Sequence, residues 1–91
     1  MATAHKHLTI INEKGLHARA SAKLVEVVEA YDADATILND GEEALGDSIM
    51  GLLMLAASKG TMIEVKTEGA DAVALADAIE VLIESRFGEE A

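Results

Sequence analysis

Short segments rich in β-branched residues, separated by glycine and polar residues, predict four β-strands. They cover approximately residues 7–12, 35–39, 43–45 and 61–68. The fourth segment alternates most regularly, with apolar Ile63 and Val65 between charged residues, which is typical of a strand with one face in water. Between the second and third segments, Asp40-Gly41 favours a two-residue turn, so these strands are expected to form an antiparallel hairpin.

Three further segments carry apolar residues at intervals of three and four, the spacing of a helix with one buried face. They cover approximately residues 18–31, residues 49–58 and the stretch that begins at Asp71. Ser48 precedes the second helix as a good N-cap, and Gly60 follows its predicted end. The predicted buried stripe of the last helix consists of Val73, Ala76, Ile79, Leu82 and Ile83.

The resulting order of elements, β-α-β-β-α-β-α, predicts an α+β fold. We expect an open-faced two-layer sandwich, in which three helices cover one face of a four-stranded antiparallel sheet. A chain of 91 residues has room for one hydrophobic core, so one domain spanning residues 1–91 is expected. Residues 1–5 and 88–91 are expected to be frayed ends.

Composition argues against several classes of partner. Aromatic residues make up only 2% of the chain, which argues against a binder of single-stranded nucleic acid. Seventeen acidic residues against seven basic ones give a net charge of −10, which argues against contact with nucleic-acid phosphates or anionic membranes. The chain has no cysteine, no apolar run long enough to span a membrane and no secretory signal core at its N-terminus. We therefore expect a cytoplasmic protein.

The candidate chemistry lies at the start of the first helix, in the stretch Gly15-Leu16-His17-Ala18-Arg19. Gly15 permits a tight approach of the backbone. An uncharged imidazole at His17 can act as a nucleophile, and the amide groups of a helix start can hold an anion attached to it. The guanidinium of Arg19 can neutralise the same anion. A nucleophile, an anion site and a cation thus fall within three residues.

Taken alone, this stretch also fits a histidine that merely caps a helix or lies on the surface. His5 and His7, near the N-terminus and at the end of an exposed strand, suggest no chemistry by themselves. A metal site needs convergent ligands, and no sequence feature places His17 near His5, His7 or a set of carboxylates. We therefore expect no metal and no cofactor.

The stretch Gly15-Leu16-His17-Ala18-Arg19 closely resembles the active-site signature of HPr, the histidine phosphocarrier family of the bacterial phosphoenolpyruvate-dependent phosphotransferase system. A second stretch, Asp47-Ser48-Ile49-Met50-Gly51-Leu52-Leu53-Met54-Leu55, resembles the regulatory-serine segment of that family. Lys59-Gly60, before the fourth strand, fits as well. The distance between the two motifs and the order of predicted elements both agree with the family, from about His7 to Phe87.

The resemblance implies a role for each matching residue. His17 would accept a phosphoryl group on Nδ1 from enzyme I and pass it to an enzyme IIA-type acceptor domain. Arg19 would neutralise that group during both transfers, and Ser48 would be phosphorylated by a serine kinase and restored by a phosphorylase. The residues that would dock onto partner proteins are Ile49, Met50 and Leu53. The protein would be a monomeric carrier with a covalent phosphohistidine intermediate, and it would turn over no small molecule itself.

Two features depart from the family pattern. Ala20 stands where the family usually has proline, which pre-sets the backbone for a helix start, so this start is expected to be looser. The strong acidity, with Asp47 beside Ser48, suggests that docking depends more on the apolar residues than on charge. Both features favour the nitrogen-regulatory branch of the family, which has no sugar substrate, over a sugar-transport role.

Two alternatives remain open on the sequence. The chain could be an interaction module that docks through Ile49, Met50 and Leu53 without phosphate chemistry. Ser48 could serve only as the N-cap of the second helix, since serine is a good residue for that position. An enzyme acting on a small molecule has no supporting acid–base constellation.

Overall fold

The strands and helices follow one another in the predicted order, and the computed structural model describes residues 2–91. The strands are β1 (Ala2–Thr9), β2 (Asp34–Asn39), β3 (Glu42–Leu45) and β4 (Met62–Gly69). The helices are α1 (Ala18–Glu29), α2 (Ile49–Met54) and α3 (Ala72–Glu84), followed by a short 3₁₀ turn over Arg86–Gly88. Within residues 2–91, no helix combines the length and apolar character needed to cross a bilayer.

The four strands form one antiparallel sheet in the order β1-β4-β2-β3. Strands β2 and β3 are joined by Asp40 and Gly41, whose φ angles of 51° and 83° are those of a type I′ hairpin turn. The predicted hairpin is therefore confirmed. Alternate residues of β4 are buried and point toward the helices, among them Ile63 and Val65, while the intervening residues lie on the open face.

The hydrophobic core lies between the three helices and the covered face of the sheet. In α3 the buried residues are Ala72, Leu75, Ala76, Ile79 and Ile83. The prediction for Val73 is wrong, because its side chain is 55% exposed while Leu75 faces the core. Leu82 is half-buried at the edge of the stripe. Small and apolar residues occur on most of the helix surface, so the sequence alone does not decide which of two neighbouring stripes faces the core.

Strand β1 begins earlier than predicted. Residues 2–5 were expected to be frayed, but Ala2 to His5 pair with Gly69 to Lys66 of β4. Their composition carries little strand signal, and the pairing with β4 supplies the backbone hydrogen bonds that hold them. The remaining residue of that prediction, Met1, lies outside the described part of the chain. At the other end β1 stops at Thr9 rather than at Asn12.

Helix α2 is shorter than predicted and ends at Met54. Ala56, two residues after Met54, adopts a left-handed conformation with φ of 52°, and this conformation stops the helix from continuing. The side-chain amide of Asn39 donates to the carbonyl of Leu55 at 2.8 Å, so a free carbonyl at this end is satisfied from outside the helix. Neither the left-handed conformation of Ala56 nor the hydrogen bond from Asn39 can be predicted from the local spacing of apolar residues.

The predicted frayed end, residues 88–91, follows a buried residue and is itself held at Glu89, whose carboxylate contacts Asn12 and His17. Phe87 is buried in the core with 1% exposure, and its backbone is left-handed, with φ of 55°. Arg86 and Gly88 on either side of it also have positive φ, and together they turn the chain back toward helix α1. The tail is further held by a hydrogen bond of 2.6 Å from the ammonium of Lys23 to the carbonyl of Phe87. This turn carries Glu89 to the start of α1.

Candidate functional site

His17 is the N-cap residue of helix α1, with extended backbone angles φ −78° and ψ −176°. Its carbonyl accepts the first helical hydrogen bond from the amide of Ser21 at 2.8 Å. The ring is directed to the C-terminal tail, where Nε2 lies 2.5 Å from Oε2 of Glu89. The side chain is 24% exposed. Because this contact occupies Nε2, Nδ1 is the ring nitrogen left for a transferred group, at the positive end of the helix.

Gly15 fixes the loop that leads into the site. Its φ of +64° lies in the left-handed region, and a Cβ built on it would lie 2.5 Å from the carbonyl oxygen of Ala57. The next amide, that of Leu16, donates to the same carbonyl at 2.8 Å. A side chain at position 15 would therefore push apart the two segments that hold His17 in place.

Asn12 links this loop to the tail and was not anticipated as a site residue, since it was assigned to the end of the first strand. Its side chain is completely buried, and its amide nitrogen donates to the carbonyl of Gly15 at 2.9 Å and to Oε1 of Glu89 at 3.0 Å. The sequence offered one indication of its role, because asparagine is uncommon in strands and Asn12 follows an apolar segment.

Glu89 is the second unanticipated residue of the site. Its two carboxylate oxygens accept from Asn12 and contact His17, and its side chain is only 14% exposed. The hydrogen bond from Asn12 is the main cause that lowers the pKa of this carboxyl from its usual range, with His17 and Lys14 acting in the same direction and partial burial opposing them. The carboxylate is therefore held in its charged form next to the imidazole.

Basic side chains surround the tail and the start of α1. Lys14, Arg19 and Lys23 line one surface cleft together with residues 88–91. Arg19 is exposed in the first turn of α1. Lys59 belongs to the neighbouring surface, where it pairs with Glu13 at 3.2 Å. The same cleft is also lined by Glu13, Glu89 and Glu90, so basic and acidic side chains are mixed here.

Ala20 is completely buried in the first turn of α1. The helix begins at Ala18 even though proline does not occupy this position. The side chain of Ala20 packs against the core, as part of the buried face of α1.

Ser48 is the N-cap of helix α2, as predicted. Its Oγ accepts a hydrogen bond from the amide of Gly51 at 3.0 Å. The capping role alone therefore explains a serine at this position. The neighbouring Asp47 is exposed.

The surface of α2 exposes apolar side chains. Met54 is 79% exposed, Met50 69% and Ile49 41%, whereas Leu53 is half-buried and Leu52 belongs to the core. We call Ile49, Met50, Leu53 and Met54 the α2 patch. Helix α2 packs against helix α1, so the patch lies on the neighbour of the helix that carries His17. The structure thus leaves the predicted docking residues accessible, with Leu53 the least so.

The two remaining histidines lie elsewhere, on the open face of the sheet. Across residues 2–91, the only group of three possible metal ligands whose donor atoms lie within 4.8 Å of one another is His5, His7 and Glu64. His17 does not belong to it. The sequence suggested no such grouping, because Glu64 is far from the histidines in the sequence. It lies beside them only through the pairing of β1 with β4.

Comparison with known proteins gives a family match over most of the chain. The family model described as the PTS HPr component phosphorylation site matches residues 4–85. The matched range contains both sequence motifs, residues 15–19 and 47–55.

Individual relatives agree with this match. Phosphocarrier protein HPr of Xylella fastidiosa is 43% identical over 83 residues, covering 91% of this chain and 93% of its own. Phosphocarrier protein NPr of Shewanella violacea is 39% identical over 89 residues, covering 98% of both chains. The crystal structure of HPr-C-His from Thermoanaerobacter tengcongensis has a TM-score of 0.92 at 33% identity and covers 97% of this chain and 99% of that one. The predicted open antiparallel sheet with three helices is confirmed by this likeness.

Proposed function

Because the chain belongs to the HPr family of phosphotransferase-system phosphocarriers, we propose that His17 is the residue that carries its phosphoryl group. The observation that supports this most is the placement of His17 at the start of α1, with Nε2 held by Glu89 and Nδ1 free to bond. His5 and His7, by contrast, lie within strand β1 on the open face of the sheet.

The transfer that follows from this placement is an in-line displacement. The lone pair of Nδ1 of His17 attacks the phosphorus of a phosphohistidine on enzyme I, the phosphorus–nitrogen bond of the donor breaks, and its imidazole leaves with the electron pair. A second displacement moves the group from His17 to the acceptor. The chain contributes positioning and charge, since the first-turn amides and Arg19 face the transferred group.

Glu89 is a positioning residue in this scheme. A carboxylate that accepts from Nε2–H fixes the orientation of the ring and increases the electron density at Nδ1, as carboxylates do for other histidines that bond through one nitrogen. It also stabilises the positive charge that the ring acquires when Nδ1 bonds to phosphorus. Asn12 in turn holds the second oxygen of Glu89.

Docking to enzyme I and to an enzyme IIA-type acceptor would use the α2 patch together with Lys14, Arg19 and Lys23 at the start of α1. Exposed methionines suit a surface that must fit more than one partner, because the side chain is unbranched and adaptable. Such a carrier would act in the cytoplasm as a monomer, since each transfer needs the His17 surface to be open to another protein.

Regulatory phosphorylation of Ser48 by a serine kinase is part of the same proposal. A phosphate there would place about two negative charges at the edge of the α2 patch, next to Ile49 and Met50. The cost of desolvating these charges would weaken docking, while the position at a helix start leaves the fold intact.

The nitrogen-regulatory branch is the second candidate. The NPr of Shewanella violacea covers 98% of this chain at 39% identity, against 91% at 43% identity for the HPr of Xylella fastidiosa. The chain also carries a net charge of −10. A carrier of this branch would perform the same chemistry at His17 and pass the phosphoryl group to a regulatory protein.

The test is the intact mass of the protein after incubation with phosphoenolpyruvate and an active cognate enzyme I. We expect the wild type and His7→Ala to gain one acid-labile phosphate and His17→Ala to gain none. A phosphate on His17→Ala would disprove the assignment. No gain by the wild type, with the enzyme I shown to be active, would favour the interaction module.

A further inference from the structure

We propose that His5, His7 and Glu64 form a binding site for a divalent transition-metal ion, with zinc as the ion that fits best. The three donor groups converge on the open face of the sheet, and their ligand atoms lie within 4.8 Å of one another. Nothing in phosphoryl transfer at His17 requires them, so the site is separate from the one described above.

The sheet itself brings the three side chains together. His5 and His7 are two residues apart on β1, so both point to the same face. Glu64 of β4 is the direct cross-strand partner of His7. The histidine rings lie side by side, with centroids 4.9 Å apart, and Nε2 of His5 contacts Oε2 of Glu64. Backbone pairing on both strands therefore fixes the spacing of the ligands before any ion binds.

The donor set favours zinc. Two imidazoles and one carboxylate are ligands that zinc prefers, and three protein ligands leave a fourth tetrahedral position for water. Tetrahedral zinc with bonds of about 2.0–2.1 Å needs donor atoms roughly 3.3 Å apart, which side-chain rotation reaches from the observed arrangement. Calcium and magnesium prefer oxygen ligands and fit this set poorly.

The surroundings allow an ion to enter and influence its affinity. The side chains of His5 and Glu64 are 49% and 30% exposed, so an ion reaches them without any movement of the fold. Lys66 competes for the carboxylate, because its ammonium lies 3.9 Å from Oε2 of Glu64. A bound cation would replace the contact of that ammonium with Glu64 and the direct contact between His5 and Glu64.

The experiment is isothermal titration of the full chain with zinc chloride at neutral pH. We expect one zinc ion per chain in the wild type, and binding at least about tenfold weaker in each of His5→Ala, His7→Ala and Glu64→Gln. Removal of the competing charge in Lys66→Gln is expected to tighten binding. Occupied sites stabilise the folded state, so zinc is also expected to raise the Tm of the wild type but not of His7→Ala.

Two matched controls keep the proposal falsifiable. Glu68→Gln removes the same charge from the same face of β4, and His17→Ala removes the remaining histidine, so both are expected to bind zinc as the wild type does. The proposal is overturned if the wild type binds no zinc, or if His17→Ala loses binding while His5→Ala and His7→Ala keep it. Ring signals in NMR spectra of the wild type give a test that needs no variant, because zinc should shift those of His5 and His7 and leave those of His17 unchanged.

Discussion

At the scale of single residues, the site depends on hydrogen bonds that connect three side chains, two of which lie far from the third in the sequence. Buried Asn12 holds one oxygen of Glu89, and the other oxygen holds the ring of His17. The sequence motif identified His17 and Arg19, since both lie in one short stretch with a recognisable pattern. It could not identify Asn12 or Glu89, because their roles depend on the C-terminal turn that returns the tail to helix α1.

The charge of Glu89 leads to a prediction about pH. The pKa of its carboxyl is lowered in the folded protein, so the contacts it makes are complete above its ordinary pKa of about 4.3 and are lost as the pH falls through the lowered value. The side-chain amide signals of Asn12 in NMR spectra should therefore change together with those of His17 in this acidic range. Glu89→Gln should remove the transition and Glu90→Gln should keep it. An Asn12 amide that ignores both pH and Glu89→Gln would contradict the described contact.

At the scale of elements, the spacing of apolar residues was sufficient to predict each helix or strand that buries one face. It predicted the order of all seven main elements and the turn at Asp40-Gly41, because local spacing alone determines these features. It failed at boundaries that depend on distant partners. Ala2 to His5 are strand only through their pairing with β4. Helix α2 ends early, where Asn39 donates to the carbonyl of Leu55 and Ala56 adopts a left-handed conformation.

The end of α2 allows a prediction about stability. A left-handed conformation costs alanine roughly 1 kcal/mol that glycine does not lose, so Ala56→Gly should increase the free energy of unfolding by up to about that amount. The same change at Ala74, an exposed position inside helix α3, should decrease it by a similar amount. Urea unfolding of both variants measures this difference. Equal destabilisation by the two substitutions would contradict the left-handed helix end.

At the scale of the whole molecule, the fold separates two surfaces. The helices bury one face of the sheet, and on their side of the molecule the structure exposes His17 in part and the α2 patch. The open face of the sheet carries His5, His7 and Glu64, which the proposed phosphoryl transfer at His17 does not use. Two exposed methionines, Met50 on the α2 patch and Met62 on β4, distinguish the surfaces experimentally.

This separation predicts different effects of one substitution on the two surfaces. Met50 is 69% exposed and Met62 is 61% exposed, so glutamine at either position should leave the fold intact. Met50→Gln should raise the KM of enzyme I for the carrier, because it places a polar amide in the apolar docking patch, with kcat little changed. Met62→Gln should leave both constants unchanged. Steady-state kinetics with the carrier as the varied substrate measures this, and equal constants for the two variants would place docking elsewhere.

The central claim, that Nδ1 of His17 carries the phosphoryl group, is tested most directly by NMR of the phosphorylated protein. Histidine rings labelled with nitrogen-15 would show which nitrogen is coupled to phosphorus after reaction with phosphoenolpyruvate and enzyme I. We predict a single coupling, to Nδ1 of His17, with the rings of His5 and His7 unchanged. A coupling to Nε2 of His17, or to either ring on β1, would contradict the account.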